Sequence, residues 1–260
     1  MCELFGFSSG KELVLNDYLK EFYSHSDMHP HGWGLVCLKG NEALIEKEPM
    51  QASRSAYLKK RLKAPVCGKQ IFAHIRYATI GNIDYRNCHP YTRKDIKGRR
   101  WTMIHNGTIF DYSPLDKYSK LQSGDSDSER ILMYVVDKVD EAIRENRSDL
   151  KAQDRFTLIE EIVSDMAKGN KLNLLMYDGE YTYVHTNYRN SLYYLNKDGK
   201  GCSALFSTQP LSKEEWKALP LNTLLVYHEG KRIYTGTDHG NEYFDNEENT
   251  KYLYQTFSNL

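Results

Sequence analysis

The sequence predicts an α+β domain in which two antiparallel sheets pack together with helices outside. Three observations predict it. Strand-like segments occupy both ends of the chain, two helical segments fill the middle, and a βαβ alternation with glycine-rich phosphate loops is absent. The 260 residues suffice for one large domain or two small ones, with a sizeable core either way. No internal repeat, low-complexity tract or linker divides them.

Residues 2–8 read as a buried strand. Over 12–24, Val14, Tyr18, Leu19, Phe22 and Tyr23 follow helical spacing. The turn-rich stretch 27–34 opens a strand at 35–38, and Lys39-Gly40-Asn41 turns it into a second strand near 43–47, a hairpin. Residues 52–63 make a short basic helix. A strand over 71–79 runs into a polar loop, which ends at an apolar strand, 101–104, that stops at His105-Asn106-Gly107. Ser126 and Glu129 form a capping box for a helix from Asp127 to about Asn146, with the apolar stripe Ile131, Leu132, Val135, Val136, Val139 and Ile143. A second helix covers 150–168. Strands follow at 173–177, 181–185, 192–195, 204–208, 224–227 and 232–235, and the last 20 residues form a polar, aromatic tail.

Composition excludes several classes. Lys plus Arg equals Asp plus Glu, 35 each, so no global field draws the chain to nucleic acid or an anionic membrane. No apolar run approaches the roughly 18 residues of a membrane span, and no basic region followed by an apolar stretch marks a signal peptide. Five cysteines form an odd set without a C-x-x-C pair, which argues for reduced thiols in a cytoplasm and against a disulfide framework or structural zinc.

Candidate chemistry starts at Cys2. A small residue after Met1 favours removal of that methionine, which would leave a thiol and a free α-amine on one residue, a nucleophile beside a base. Four later segments place polar or geometrically special residues within buried strands. His31-Gly32-Trp33-Gly34 flanks an indole with glycines that allow close backbone approach. In the segment from Ala73 to Gly81, strand alternation would point His74 and Arg76 to one face, and a guanidinium suits a carboxylate. Asn106-Gly107 reads either as a hairpin turn or as an oxyanion hole, with the Asn106 amide and the Gly107 N–H converging on a developing charge. In the segment from Gly124 to Glu129, Asp127 sits in the first turn of a helix, where the dipole favours a carboxylate that could bind an ammonium. The acids lack EF-hand spacing, and His29-x-His31 lacks a third ligand, so no metal is expected.

Cys2, H-G-W-G, H-x-R-Y-A-T-x-G, H-N-G and D-S-D-S-E, in this order across roughly residues 2–235, resemble the class II glutamine amidotransferases, which are N-terminal-nucleophile hydrolases. The resemblance implies a four-layer αββα sandwich and a single domain over 2–260, of the stand-alone type, with 237–260 a C-terminal extension. It implies Cys2 as nucleophile, Asn106 and Gly107 as oxyanion hole, Arg76 on the substrate α-carboxylate, Asp127 on the α-ammonium and Thr79 as a further substrate contact. His74, His89, His105 and Trp33 would support the loops. No cofactor is implied. The partners implied are glutamine or a γ-glutamyl compound, an ammonia-accepting protein and a second copy of the chain. A γ-glutamyl peptide or conjugate hydrolase, or a non-catalytic binding subunit, are the alternatives. The chain departs from many fused members at Tyr77 and Ile80, where those have Trp and His, and His31 stands where the stand-alone group commonly has an acid.

Overall fold

The computed structural model describes residues 2–197 and 202–257; the expected removal of Met1 and the last three residues of the predicted tail lie outside them. The first half contains β1 (Glu3–Val14), α1 (Asn16–Ser24), β2 (Trp33–Lys39), β3 (Glu42–Glu48), α2 (Ala56–Arg61) and β4 (Cys67–Ile75). Next come β5 (Tyr91–Lys94), β6 (Arg100–Thr108), α3 (Asp127–Asn146) and α4 (Ala152–Met166). The remainder is β7 (Lys171–Tyr177), β8 (Thr182–His185), β9 (Tyr193–Lys197), β10 (Ser203–Ser207), β11 (Lys217–Ala218), β12 (Leu225–His228), β13 (Lys231–Thr235) and α5 (Glu247–Phe257).

These strands form two antiparallel sheets, one in the order β11-β9-β10-β1-β4-β2-β3 and the other β13-β12-β8-β7-β6-β5. Alternation along each strand sorts side chains into layers. In β1, Phe5 and Phe7 face outward and pack with Leu19, Phe22 and Tyr23 of α1. Leu4 faces inward, into a layer shared with Phe72, Ile104, Leu175 and Phe206. Gly6 lies where an added Cβ would stand 3.1 Å from a Leu175 methyl, so the sheets approach closely there. On the far side, all six stripe residues of α3 pack on Trp101, Met103, Leu172 and Leu174. Each fully buried side chain of that size contributes about 1.5–3 kcal/mol, and a charge at the fully buried Val136 would undo the contact. The result is the expected α+β sandwich of two stacked sheets with helices outside.

Several local expectations change. β1 runs to Val14 because it pairs again with β4 at Leu13–Gly68 and Val14–Cys67, past a register break after Ser8, so the helix begins at Asn16. β4 stops at Ile75, which puts Arg76 in a turn. β6 runs through His105-Asn106-Gly107, paired with Leu174, Asn173 and Leu172 of β7, so Asn-Gly is ladder and not a hairpin turn. The basic helix is split at Ser55, whose hydroxyl accepts from the Leu58 N–H at 2.9 Å and caps α2. The capping box is half formed: Ser126 accepts from the Ser128 N–H, but Glu129 accepts from the N–H groups of Ser123 and Gly124. β5 and the two-residue β11 were not expected, and the tail holds α5 and a buried Tyr243.

Candidate active site

Sheet pairing brings the motif segments to one end of the sandwich. Glu3 pairs with Ile75, and Ile75 with Trp33, so Cys2, Arg76 and Gly32 share that end. The other sheet contributes the end of β6, against which the start of α3 is hydrogen-bonded. A hydrogen bond joins the sheets here: His74 Nε2 donates to the His105 carbonyl at 3.3 Å.

Cys2 Sγ lies 3.3 Å from both the carbonyl and the amide nitrogen of Tyr77. Burial pushes this thiol above its ordinary pKa, against the Tyr77 backbone contact and the Arg76 charge, which favour the thiolate. Desolvation therefore keeps the sulfur protonated until a base takes the proton.

The turn after β4 is held from two sides. On one, the His31 N–H donates to the Arg76 carbonyl at 3.1 Å, the Arg76 N–H to the Gly32 carbonyl at 2.7 Å, and the Ala78 N–H to His31 Nδ1 at 2.9 Å. The His31 ring also packs on Tyr77, with centroids 5.3 Å apart. Gly32 has φ +154, and a Cβ there would stand 2.7 Å from Cys88 Sγ. From within, the buried Arg76 guanidinium donates to the carbonyls of Ile80, Gly81 and Asn82. Three of its five N–H donors thus organise its own loop. Thr79 Oγ1 lies 3.5 Å from Thr108 Oγ1, at the end of β6.

A cluster absent from the expected set lies beside this loop. The Asn87 amide donates to the Asn82 carbonyl and to the Asp125 carboxylate, and its oxygen accepts from the Asp125 N–H at 2.9 Å. Asp125 also accepts from the Asn82 backbone at 3.2 Å and side chain at 2.8 Å. Asp125 lay inside a recognised motif, but its partners sit about 40 residues away, beyond what spacing reveals.

Asn106 is buried on the inward face, two residues after the inward Ile104. Among the described residues its amide has no hydrogen-bond partner. Gly107 lies against the Lys171 carbonyl, where no Cβ would fit. Asp127 is buried at the first position of α3, with Oδ2 accepting from the Ile109 N–H at 3.0 Å and Oδ1 from the Ser128 hydroxyl at 3.3 Å. Since that hydroxyl donates to Asp127, His105 Nδ1 donates to Ser128 Oγ, at 3.0 Å. His105 is held below its ordinary pKa by burial, which outweighs the Asp127 charge.

The His74 and His89 rings pack together, centroids 4.0 Å apart and planes tilted by 36°. Burial holds both well below the ordinary histidine range, helped by Arg76 at His74 and by His74 at His89. Both are neutral packing groups at physiological pH. Trp33 lies on the outer face, stacked on Tyr57 with its indole N–H on Glu48 at 3.0 Å, so it supports β2 from behind.

Two stacked antiparallel sheets with helices outside, and a cysteine leading into a central strand, define the N-terminal-nucleophile type of fold. The model of the class II glutamine amidotransferases matches residues 1–199, and the chain belongs to that family. An uncharacterised protein of Methanocaldococcus jannaschii is 28% identical, over 90% of this chain and 71% of its own length. The Escherichia coli protein named "Putative glutamine amidotransferase YafJ" is also 28% identical, over 72% of this chain and 74% of its own. Among solved structures, a protein of Pseudomonas aeruginosa PA01 described as a predicted glutamine amidotransferase superposes with TM-score 0.66 at 19% identity, covering 90% of this chain and all of that one. The Bacillus subtilis glutamine phosphoribosylpyrophosphate amidotransferase gives 0.62 at 16%, covering 89% of this chain and 48% of its own. At such identities these two speak for the fold.

Proposed function

We propose that the chain hydrolyses the γ-amide of glutamine through a γ-glutamyl thioester on Cys2. The observation that carries this reading is a desolvated Cys2 thiol held against the Tyr77 backbone at the end of the sandwich where β6 delivers the inward Asn106 amide, which no described residue engages by a hydrogen bond. With Met1 removed, the α-amine of Cys2 accepts the thiol proton as Sγ attacks the carboxamide carbon. The oxygen that gains charge is held by the Asn106 amide and the Gly107 N–H. Collapse breaks the C–N bond, the leaving nitrogen takes the proton and departs as ammonia, and water then resolves the thioester to glutamate. Arg76 and Thr79 read the α-carboxylate side of the substrate, and Asp127, oriented by Ile109 and Ser128, takes the α-ammonium. His74, His89 and His105 hold the segments in register. A protein that consumes ammonia is the partner this reading asks for.

The test is ammonia and glutamate release from glutamine by the Met1-free protein, compared with a panel of γ-glutamyl amino acids. Equal release of both products from glutamine, lost in Cys2→Ala, supports the reading. Turnover confined to the conjugates would replace glutamine as substrate, and none at all would leave a binding subunit.

A further inference from the structure

The two groups that would read the two ends of an α-amino-acid head lie on different segments, Arg76 after β4 and Asp127 on α3. They are joined by a hydrogen-bonded chain from Arg76 to Asp125, which the backbone carries on to Asp127. The Asn82 carbonyl accepts from both Arg76 and the Asn87 amide, at 2.9 and 3.0 Å. Asn82 donates in turn to Asp125 through its backbone and its side chain. Asp125 stands two residues before Asp127, across the Ser126 cap. Asn87 is buried at 1% exposure and bonds both segments at once. The close approach has a backbone condition. Gly81 has φ +82, and a Cβ there would stand 2.6 Å from Asp125 Oδ1. Gly124 is packed so closely against the Asn87 amide oxygen that a Cβ has no room.

We propose that Asn82, Asn87 and Asp125 form a positioning knot that sets the spacing between the Arg76 guanidinium and the Asp127 carboxylate, and so selects substrates with an intact α-amino-acid head. None of the three need touch the substrate; they act through the two residues that do. The inference rests on the glutamine reading above, so its test must be able to fail separately.

Asn87→Asp is the informative change. It preserves shape and the acceptor for the Asp125 N–H, but it removes the donor to Asn82 and sets a carboxylate against Asp125. KM for glutamine should rise about tenfold with kcat within about twofold, the signature of lost binding common to ground and transition states. Alkylation of Cys2 by iodoacetamide, which has no amino-acid head, should keep its rate. Adding Asp125→Asn removes the carboxylate pair and restores a donor between residues 125 and 87, though not the donor to Asn82, and should recover part of the KM. A merely structural role would lower kcat, slow the alkylation, or resist rescue, and any of these would overturn the proposal. Hydrogen exchange gives an arm independent of substrate. In Asn87→Asp the Asn82 amide, bonded to Asp125, and the Ile109 amide, bonded to Asp127, should both exchange faster. Faster exchange at Asn82 with Ile109 unchanged would mean that the knot does not reach Asp127, and the proposal would fall whatever the true substrate is.

Discussion

Asn106→Ala separates a catalytic role from a structural one. The side chain is 5% exposed, faces the space between the sheets and has no hydrogen-bond partner among the described residues. Its truncation therefore breaks no hydrogen bond to a described residue and leaves the β6–β7 ladder, which is backbone, intact. The stability cost should stay within about 1 kcal/mol. If the amide stabilises the oxyanion, losing it should lower kcat about 10²–10³-fold, or about 2.7–4 kcal/mol of barrier, with KM little changed. The assay is steady-state glutamate release alongside thermal unfolding, parent against variant. A kcat loss under about tenfold, or a loss that tracks a large fall in Tm, would refute the oxyanion assignment.

Gly107→Ala should act in the opposite sense, on the fold. Its Cβ would meet the Lys171 carbonyl, so urea unfolding should show a loss of about 1–3 kcal/mol, and unchanged stability would contradict the packing described here. In protein that retains Met1, burial of the Cys2 thiol predicts that its alkylation rate still climbs above about pH 9; a plateau below that pH would count against the buried thiol. Removing Met1 places a charged amine on Cys2 itself and should move that profile down in pH. His25 is raised above its ordinary pKa, chiefly by its hydrogen bond to the buried Glu3 carboxylate at 2.8 Å. A raised pKa contributes stability that is complete below the unfolded value and is lost as pH rises through the folded one. Tm of the parent should therefore fall towards that of His25→Gln as pH rises from about 6 to 9, and a constant gap between them would exclude the ion pair.

What could be read from the sequence follows from how local each signal is. The α3 helix was legible to the residue because a capping serine and a regular stripe both lie within it. The layered architecture was legible because strand-like and helical periods occupy separate parts of the chain. β5 was missed because Tyr91-Thr92-Arg93-Lys94 is short and mostly polar, and it is a strand only because β6 lies beside it. Asn106-Gly107 carries a turn signal that the pairing with β7 overrides. The sequence offers the Arg76 guanidinium to a carboxylate, yet most of its donors close the loop that follows it, a use set by the path of the backbone. His31 shows the same limit, since its acceptor role towards Ala78 joins segments 47 residues apart.

The central claim is that Cys2, freed of Met1, is a live nucleophile for a glutamine-shaped substrate. Intact mass before and after exposure to a diazo-ketone analogue of glutamine tests it directly. The account predicts a Met1-free chain that gains one label with loss of dinitrogen, slowed by excess glutamine and absent in Cys2→Ala. A Met1-free chain that takes no label, or takes it equally in Cys2→Ala, would contradict it.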